Sequence, residues 1–200
     1  EDEEEVRRRQ AVSPRMGTFH SICAQILRRD IQNLGRSNSY VIFDTIDQAS
    51  LVRRILKKVA PTAKFSPRAV LSHISKAKSA LKTPEQYAAS AGDYFTDVVS
   101  QVYPRYQELL KTNEALDFDD LLVLTVRLFQ NFPHVLAKYQ DIWQYLLIDE
   151  YQDTNHVQYM FAKMLANEHH NICVVGDEDQ SIYGFRGANI GNILAFENDY

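Results

Sequence analysis

The chain has 200 residues, 45% of them hydrophobic, and its 26 acids against 22 lysines and arginines give a net charge of −4. Such a chain suits one globular domain, or one with a substantial insertion, and has apolar residues enough for a real core. That hydrophobic content is ordinary for a globular protein, and no apolar run approaches the roughly 20 residues that span a bilayer. The opening EDEEEVRRRQ is the opposite of a secretory signal. Cys23 and Cys173 lie inside apolar periodic segments and read as buried thiols of a reducing compartment, so a soluble cytoplasmic protein is expected.

The distribution of charge says more than its sum. From Gln48 to Pro84 there is no Asp or Glu, while Arg53, Arg54, Lys57, Lys58, Lys64, Arg68, Lys76, Lys78 and Lys82 give the window +9. The remainder carries −13, from 13 basic and 26 acidic residues. A basic segment inside an acidic whole points to an anionic partner such as DNA or RNA; a solvated pair of helices with ordinary lysines is the alternative.

Residues 1–16 are a charge run broken at Ser13-Pro14, read as a ragged helix or lead-in. From Gly17 to Ile31, Phe19, Ile22, Cys23, Ile26 and Leu27 recur at helical spacing, and Thr18 is placed to cap the start. Val41 to Phe43 is a short apolar run. Thr45-Ile-Asp-Gln48 fits a capping box leading into Leu51, Val52, Ile55, Leu56 and Val59. Ser66-Pro67 opens a further helix with Val70, Leu71, Ile74 and Leu81 inward and Lys76, Lys78 and Lys82 outward. Thr83-Pro84 repeats that start signal. Asp93 to Lys111 carries another helical pattern, which Pro104 is expected to kink or split. With no strand signal from Thr45 to Lys111, the spacing predicts an all-helical subdomain.

Asn113 to Asp120 looks like a junction. Asp117-Phe-Asp-Asp120 starts a helix that ends near Asn131-Phe-Pro133, and a short helix from His134 to about Tyr139 precedes the first core strand. That strand, Tyr145-Leu-Leu-Ile148, is continuously apolar, as a strand covered on both faces must be, and Asp149 and Glu150 follow at once. Two adjacent carboxylates in a partly buried place repel each other unless a cation sits beside them; nucleotide-bound magnesium is the usual one in α/β folds. The second carboxylate is then free to orient or deprotonate a water. Asp153-Thr-Asn155 caps a helix lined by Val157, Met160, Phe161, Met164 and Leu165, which returns to the strand Ile172-Cys-Val-Val175. The unit is βαβ, with Gly176-Asp177 and then Gln180 past the same edge. Gln180 is a neutral amide suited to a phosphate oxygen or an attacking water. In Ser181-Ile-Tyr-Gly-Phe-Arg-Gly187, two aromatics and an arginine between glycines suit stacking on exposed bases, with packing onto a neighbouring domain as the alternative.

These residues resemble a known family. LIDEYQDTN and VVGDEDQSIYGFRGA resemble motifs II and III of the superfamily 1 DNA helicases of the UvrD/Rep/PcrA group, and PcrA-type members above all. TFHSICAQILRRD (Thr18 to Asp30) resembles their motif Ib, and LDFDDLL (Leu116 to Leu122) another segment typical of the group. The resemblance, which covers about Gly17 to Tyr200, implies an α/β fold: a partial RecA-like parallel-sheet domain 1A (1–36 and 116–200) with an all-helical, DNA-facing 1B insertion (37–115). It implies that Asp149 ligates Mg2+, with Glu150 beside it activating water; that Gln180 senses the γ-phosphate of ATP; and that Arg186 links the DNA loop to the nucleotide site. Tyr183 and Phe185 would contact single-stranded bases, and Thr18, Phe19 and His20 would touch the same strand. On sequence alone His20 also reads as a core histidine or a general base. Lys76, Lys78 and Lys82 would face duplex DNA near a junction.

The resemblance further implies a role in ATP-dependent, 3′-to-5′ unwinding of DNA in repair or replication, in the bacterial cytoplasm at the nucleoid, with DNA-repair proteins among the expected partners. One departure stands out. No G-x-x-x-x-G-K-[ST] loop occurs, and none of the seven glycines is followed by lysine. The second RecA-like half is absent from the 200 residues as well. The chain is therefore expected to be a piece of a helicase, inactive alone; a non-catalytic DNA-binding or protein-docking module that kept the fold is the second hypothesis.

Overall fold

Capping side chains set most of the helix starts, and the helices in turn position everything else. The computed structural model describes residues 14–177 and Phe196. Helix α1 (Phe19–Asp30) opens where the Ser21 N–H donates to Thr18 Oγ1 at 3.2 Å, as the sequence predicts. A 3-10 turn (Ile31–Leu34) follows and stops at Gly35, whose φ of 66° is a left-handed conformation that costs glycine nothing.

Strand β1 (Val41–Ile42) leads into four helices: α2 (Thr45–Val59), α3 (Pro67–Ser79), α4 (Pro84–Ala88) and α5 (Tyr94–Thr112). From Thr45 to Lys111 every described element is a helix, as the spacing predicts, but β1 and Ala115, itself a strand residue, fall within 37–115, so that span as a whole is not all-helical. Two details differ. The cap of α2 is Asp44, paired with Asp47, one residue before the predicted Thr45, because the aspartate oxygen reaches both the Ile46 and Asp47 N–H groups. Helix α5 also runs as one element through Pro104, which is exposed, so of the kink or split expected there the split does not occur. Leu51, Val52, Ile55, Val70, Ile74, Val99, Val102 and Tyr106 bury together as the core of this helical block.

Strand β2 (Ala115–Leu116) then pairs parallel with β1, Val41 opposite Ala115 and Ile42 opposite Leu116. Two residues carry no readable periodicity, so this strand is invisible in the sequence. Helix α6 (Phe118–Asn131) is buried nearly all round, from Leu121 to Val126 and again at Leu128 and Phe129. A helix apolar on every side belongs at the centre of a core. Around it pack α1, α7 (Pro133–Ile142) and α8 (His156–Ala166), with Cys23, Ile26, Leu27, Phe129, Tyr139 and Phe161 in a second core.

Strands β3 (Leu146–Ile148) and β4 (Ile172–Val174) pair parallel in the register Leu146–Ile172, Leu147–Cys173, Ile148–Val174, so the predicted βαβ unit is present. Its cover is one-sided among the described residues. Leu146 packs on the core while Leu147 is 81% exposed, and Cys173 and Val175 are exposed too. The expectation of a strand covered on both faces is corrected here, and with it the reading of Cys173 as buried. Cys23 is fully buried as expected, and burial pushes its thiol up to about 12.

Candidate functional site

The carboxyl ends of β3 and β4 stay together beyond the strands themselves. The Val175 N–H donates to the Ile148 carbonyl at 2.8 Å and the Tyr151 N–H donates to the Val175 carbonyl at 2.9 Å. Asp149 and Glu150 emerge at that edge, as predicted, but both are exposed. The expected partly buried, mutually repelling pair is corrected: solvent reaches both groups. Glu150 adopts φ 51° and ψ 44°, a left-handed conformation that costs a residue with a Cβ about 1 kcal/mol or more. In that conformation its own N–H donates to Asp149 Oδ1 at 3.0 Å.

A residue the sequence does not single out, Gln152, locks the arrangement. It is 1% exposed, its Nε2 donates to Glu150 Oε2 at 2.6 Å, and its Oε1 accepts from the Asp177 N–H at 3.0 Å. A carboxylate on one side and an N–H on the other fix which way the amide points. One buried side chain thus joins the tips of both strands. Nothing in the hydrophobic pattern marks it; only its place two residues after the acid pair does. Gln180, Tyr183, Phe185 and Arg186 lie outside the described residues.

The second group of predicted residues lies at the start of α1. Thr18 spends its hydroxyl on the cap. Phe19 is half-buried, its ring edge-on to Phe161 at 6.0 Å, so it packs on the core while part of it stays open to solvent. His20 is half-buried and meets Phe118, the first residue of α6, edge-on at 6.1 Å. Desolvation lowers the His20 pKa, so its imidazole is neutral at pH 7 and offers a ring face and one N–H rather than a charge. Phe118 is 48% exposed beside it and is an aromatic that sequence reasoning passed over.

The basic window divides. Lys76 and Lys82 are exposed as predicted, as are Arg53, Arg54, Lys57, Lys58, Lys64 and Arg68. Arg53 and Lys57 border an open cleft of about 210 Å³ that also takes in Phe65 and Pro67. Lys78 is the exception. It is 1% exposed and its Nζ lies 2.6 Å from Asp117 Oδ2 and 2.8 Å from Asp120 Oδ1, so the expectation that it faces outward to DNA is corrected. Burial works against its ammonium, but Asp120 and Asp117 outweigh that and hold its pKa above the usual lysine value. For Asp117, burial and then Asp120 raise the pKa, with Lys78 pulling it back. The warning was present in the sequence: position 78 lies four residues after Ile74 and eight after Val70, on the inward stripe.

A family model described as the UvrD/REP helicase N-terminal domain matches residues 3–200. The chain belongs to this family. It is 52% identical over 186 residues to the ATP-dependent DNA helicase PcrA of Bacillus subtilis (strain 168), a match covering 92% of this chain and 25% of that protein. The PcrA helicases of Staphylococcus epidermidis (strain ATCC 12228) and Staphylococcus aureus (strain Mu50) are each 50% identical over 186 residues, covering 92% of this chain and 26% of theirs. The chain spans about a quarter of the length of these relatives. In this UvrD/REP helicase N-terminal domain, no helix among the described residues is long and apolar enough to cross a membrane.

Proposed function

We propose that the chain is the part of an ATP-dependent, DNA-translocating helicase that joins nucleotide turnover to the DNA track. It is a partial RecA-like domain (1–36 and 116–200) carrying a helical, DNA-facing insertion (37–115). Gln152 carries this reading, because it ties the Glu150 carboxylate to Asp177 at the tip of the neighbouring strand, three residues before Gln180 in the sequence. In parallel α/β sheets ligands bind at the carboxyl ends of the strands.

The donor set fits magnesium, which takes one or two carboxylates and fills its remaining positions with phosphate oxygens and water. Asp149 is exposed, and among the described residues its one side-chain bond is at Oδ1, from a backbone N–H, so Oδ2 is the oxygen it would give. When bound with ATP, that ion supplies charge neutralisation at the transferring phosphoryl group. Glu150 has Oε2 held by Gln152, which leaves Oε1 to accept a proton from water. Thr18, Phe19, His20, Tyr183 and Phe185 hold single-stranded DNA; Gln180 and Arg186 pass the nucleotide state to them. Lys76 and Lys82, with the other exposed cations of the window, face duplex DNA at the junction. Movement is 3′ to 5′, the setting is DNA repair or replication at the bacterial nucleoid, and a second RecA-like domain completes the nucleotide site. Without a glycine-rich lysine loop in its sequence, the 200-residue chain alone turns over no ATP.

The test is ATP turnover by a full-length protein carrying this chain, with and without single-stranded DNA. Turnover that rises with DNA and is abolished by Glu150→Gln is the expected result, with nucleotide binding retained. Unchanged turnover in that variant removes the role given to Glu150, and DNA-stimulated turnover by the isolated chain contradicts the reading of it as an incomplete site. For the basic window, duplex affinity falls steeply with salt, and Lys76→Glu with Lys82→Glu weakens duplex more than single-strand binding.

A further inference from the structure

The first turn of α6 faces two ways. On one side the insertion grips it: Lys78 of α3 reaches Asp117 and Asp120, the Tyr106 hydroxyl of α5 donates to Asp117 Oδ2 at 2.9 Å, and Gln107 Nε2 donates to Asp120 Oδ1 at 3.2 Å. Asp117 is also the N-cap of α6, its Oδ1 accepting the Asp120 N–H at 2.8 Å. Arg36, ahead of the insertion, donates from Nη2 to the Ala115 carbonyl at 2.7 Å at its exit. On the other side the very next residue, Phe118, lies against His20. Lys78, Asp117 and Asp120 are all sealed from water.

Apolar helix faces tolerate small slides and rotations, because dispersion contacts are non-directional. A buried ammonium between two carboxylates, with a phenol and an amide completing their shells, tolerates almost none: every displacement leaves a charge unpaired in low dielectric. A bond of that kind between α3 and α6 selects one placement of the insertion on the base. The exposed cations of α2 and α3 are carried on the insertion side of it, and the Thr18–His20 strip on the base side.

We propose that Lys78 is a positioning residue: through Asp117 and Asp120 it fixes the basic insertion relative to the Thr18–His20 strip, so that duplex and single strand are held at one set separation. The inference rests on the reading that both surfaces hold DNA. Its consequence is a division of labour. Single-strand-driven ATP turnover needs only the base, whereas prising a duplex apart needs the insertion held rigidly against the pull.

The test uses a full-length protein carrying this chain, with Lys78→Met and Asp120→Asn combined. Wild type has one lysine against two aspartates, and the variant keeps Asp117 alone, so both networks carry one net negative charge while the tie is lost. Once circular dichroism shows the variant folded, single-strand-stimulated ATP turnover should stay within about twofold of wild type while unwinding of a tailed duplex falls about tenfold or more. Tyr106→Phe, which deletes one hydroxyl, is the milder variant should the double variant not fold, and shifts the same ratio about threefold. Unwinding equal to wild type in a folded variant overturns the proposal, as does a matched fall in turnover and unwinding, which marks Lys78 as mere support. A wild type whose ATP turnover ignores DNA overturns instead the functional reading underneath.

Discussion

Asp117 and Asp120 sit within one helical turn of each other and are sealed from water, whereas Asp149 and Glu150 stand side by side at a strand end and are exposed. The buried pair has its compensation inside the protein: a lysine, a phenol, an amide and a backbone N–H. For the exposed pair the described partners are two, the Gln152 amide and the Glu150 N–H, and neither carries a charge. Both pairs look alike as text, one in DFDD and the other in DEYQD. Their difference lies in where the balancing cation comes from, and a pair whose cation is supplied by the fold has nothing left to offer a ligand.

The largest way to break the contrast is Lys78→Met alone. It leaves two buried carboxylates without their cation and should cost about 3–5 kcal/mol, read as a fall in the urea midpoint of the 200-residue chain. A loss near zero would mean that water already reaches the pair. A pH series sharpens the same point through Asp119, whose carboxyl is pushed up to about 6 by burial and then by repulsion from Asp117. Its ordinary value is 3.8, so the folded chain holds this proton longer than the unfolded one does. The stability it contributes is complete below that lower value and is lost as pH rises through about 6. Asp119→Asn should therefore be more stable than wild type above that window and level with it below, as measured by urea unfolding across pH.

At the exposed pair the effects on folding are smaller. Gln152→Ala removes a buried amide with two bonds and should cost about 1–3 kcal/mol by denaturation, with slower ATP turnover in a full-length protein because Glu150 is no longer held. Glu150→Gln should change stability by less than about 0.5 kcal/mol while removing turnover. A melting curve for that variant as depressed as that of Lys78→Met would erase the distinction between the two pairs.

Much of this was legible in the sequence. Thr18, Thr83 and Asp117 announce helix starts because a short oxygen-bearing side chain before an apolar repeat has few other uses. The apolar-then-acid pattern of 145–150 gave the strand and its charged tip. What failed did so for identifiable reasons. Charge alone reads Lys78 as outward although its spacing puts it on the inward stripe, and the partner that settles it, Asp117, lies 39 residues away. Strand β2 is too short to have a period. The side chain of Gln152 is polar, and its burial follows from a three-dimensional meeting of two strand ends that no local pattern encodes. The open face at Leu147 contradicts a rule about apolar runs that presumes strands flanked on both sides.

The pairing of β1 with β2 has a consequence for anyone who would trim this molecule. Because the two strands point the same way, the chain leaving Ile42 must travel back to the starting end of β2 before Ala115 can pair. Residues 43–114 are therefore the return path, and a tight turn in their place would reverse the chain and make the two strands antiparallel. A minimal form that drops α2 to α5 must still keep a crossing segment of about a dozen residues. It would also strip Asp117 and Asp120 of Lys78, Tyr106 and Gln107, leaving two carboxylates that now have their partners inside the protein to find them in water.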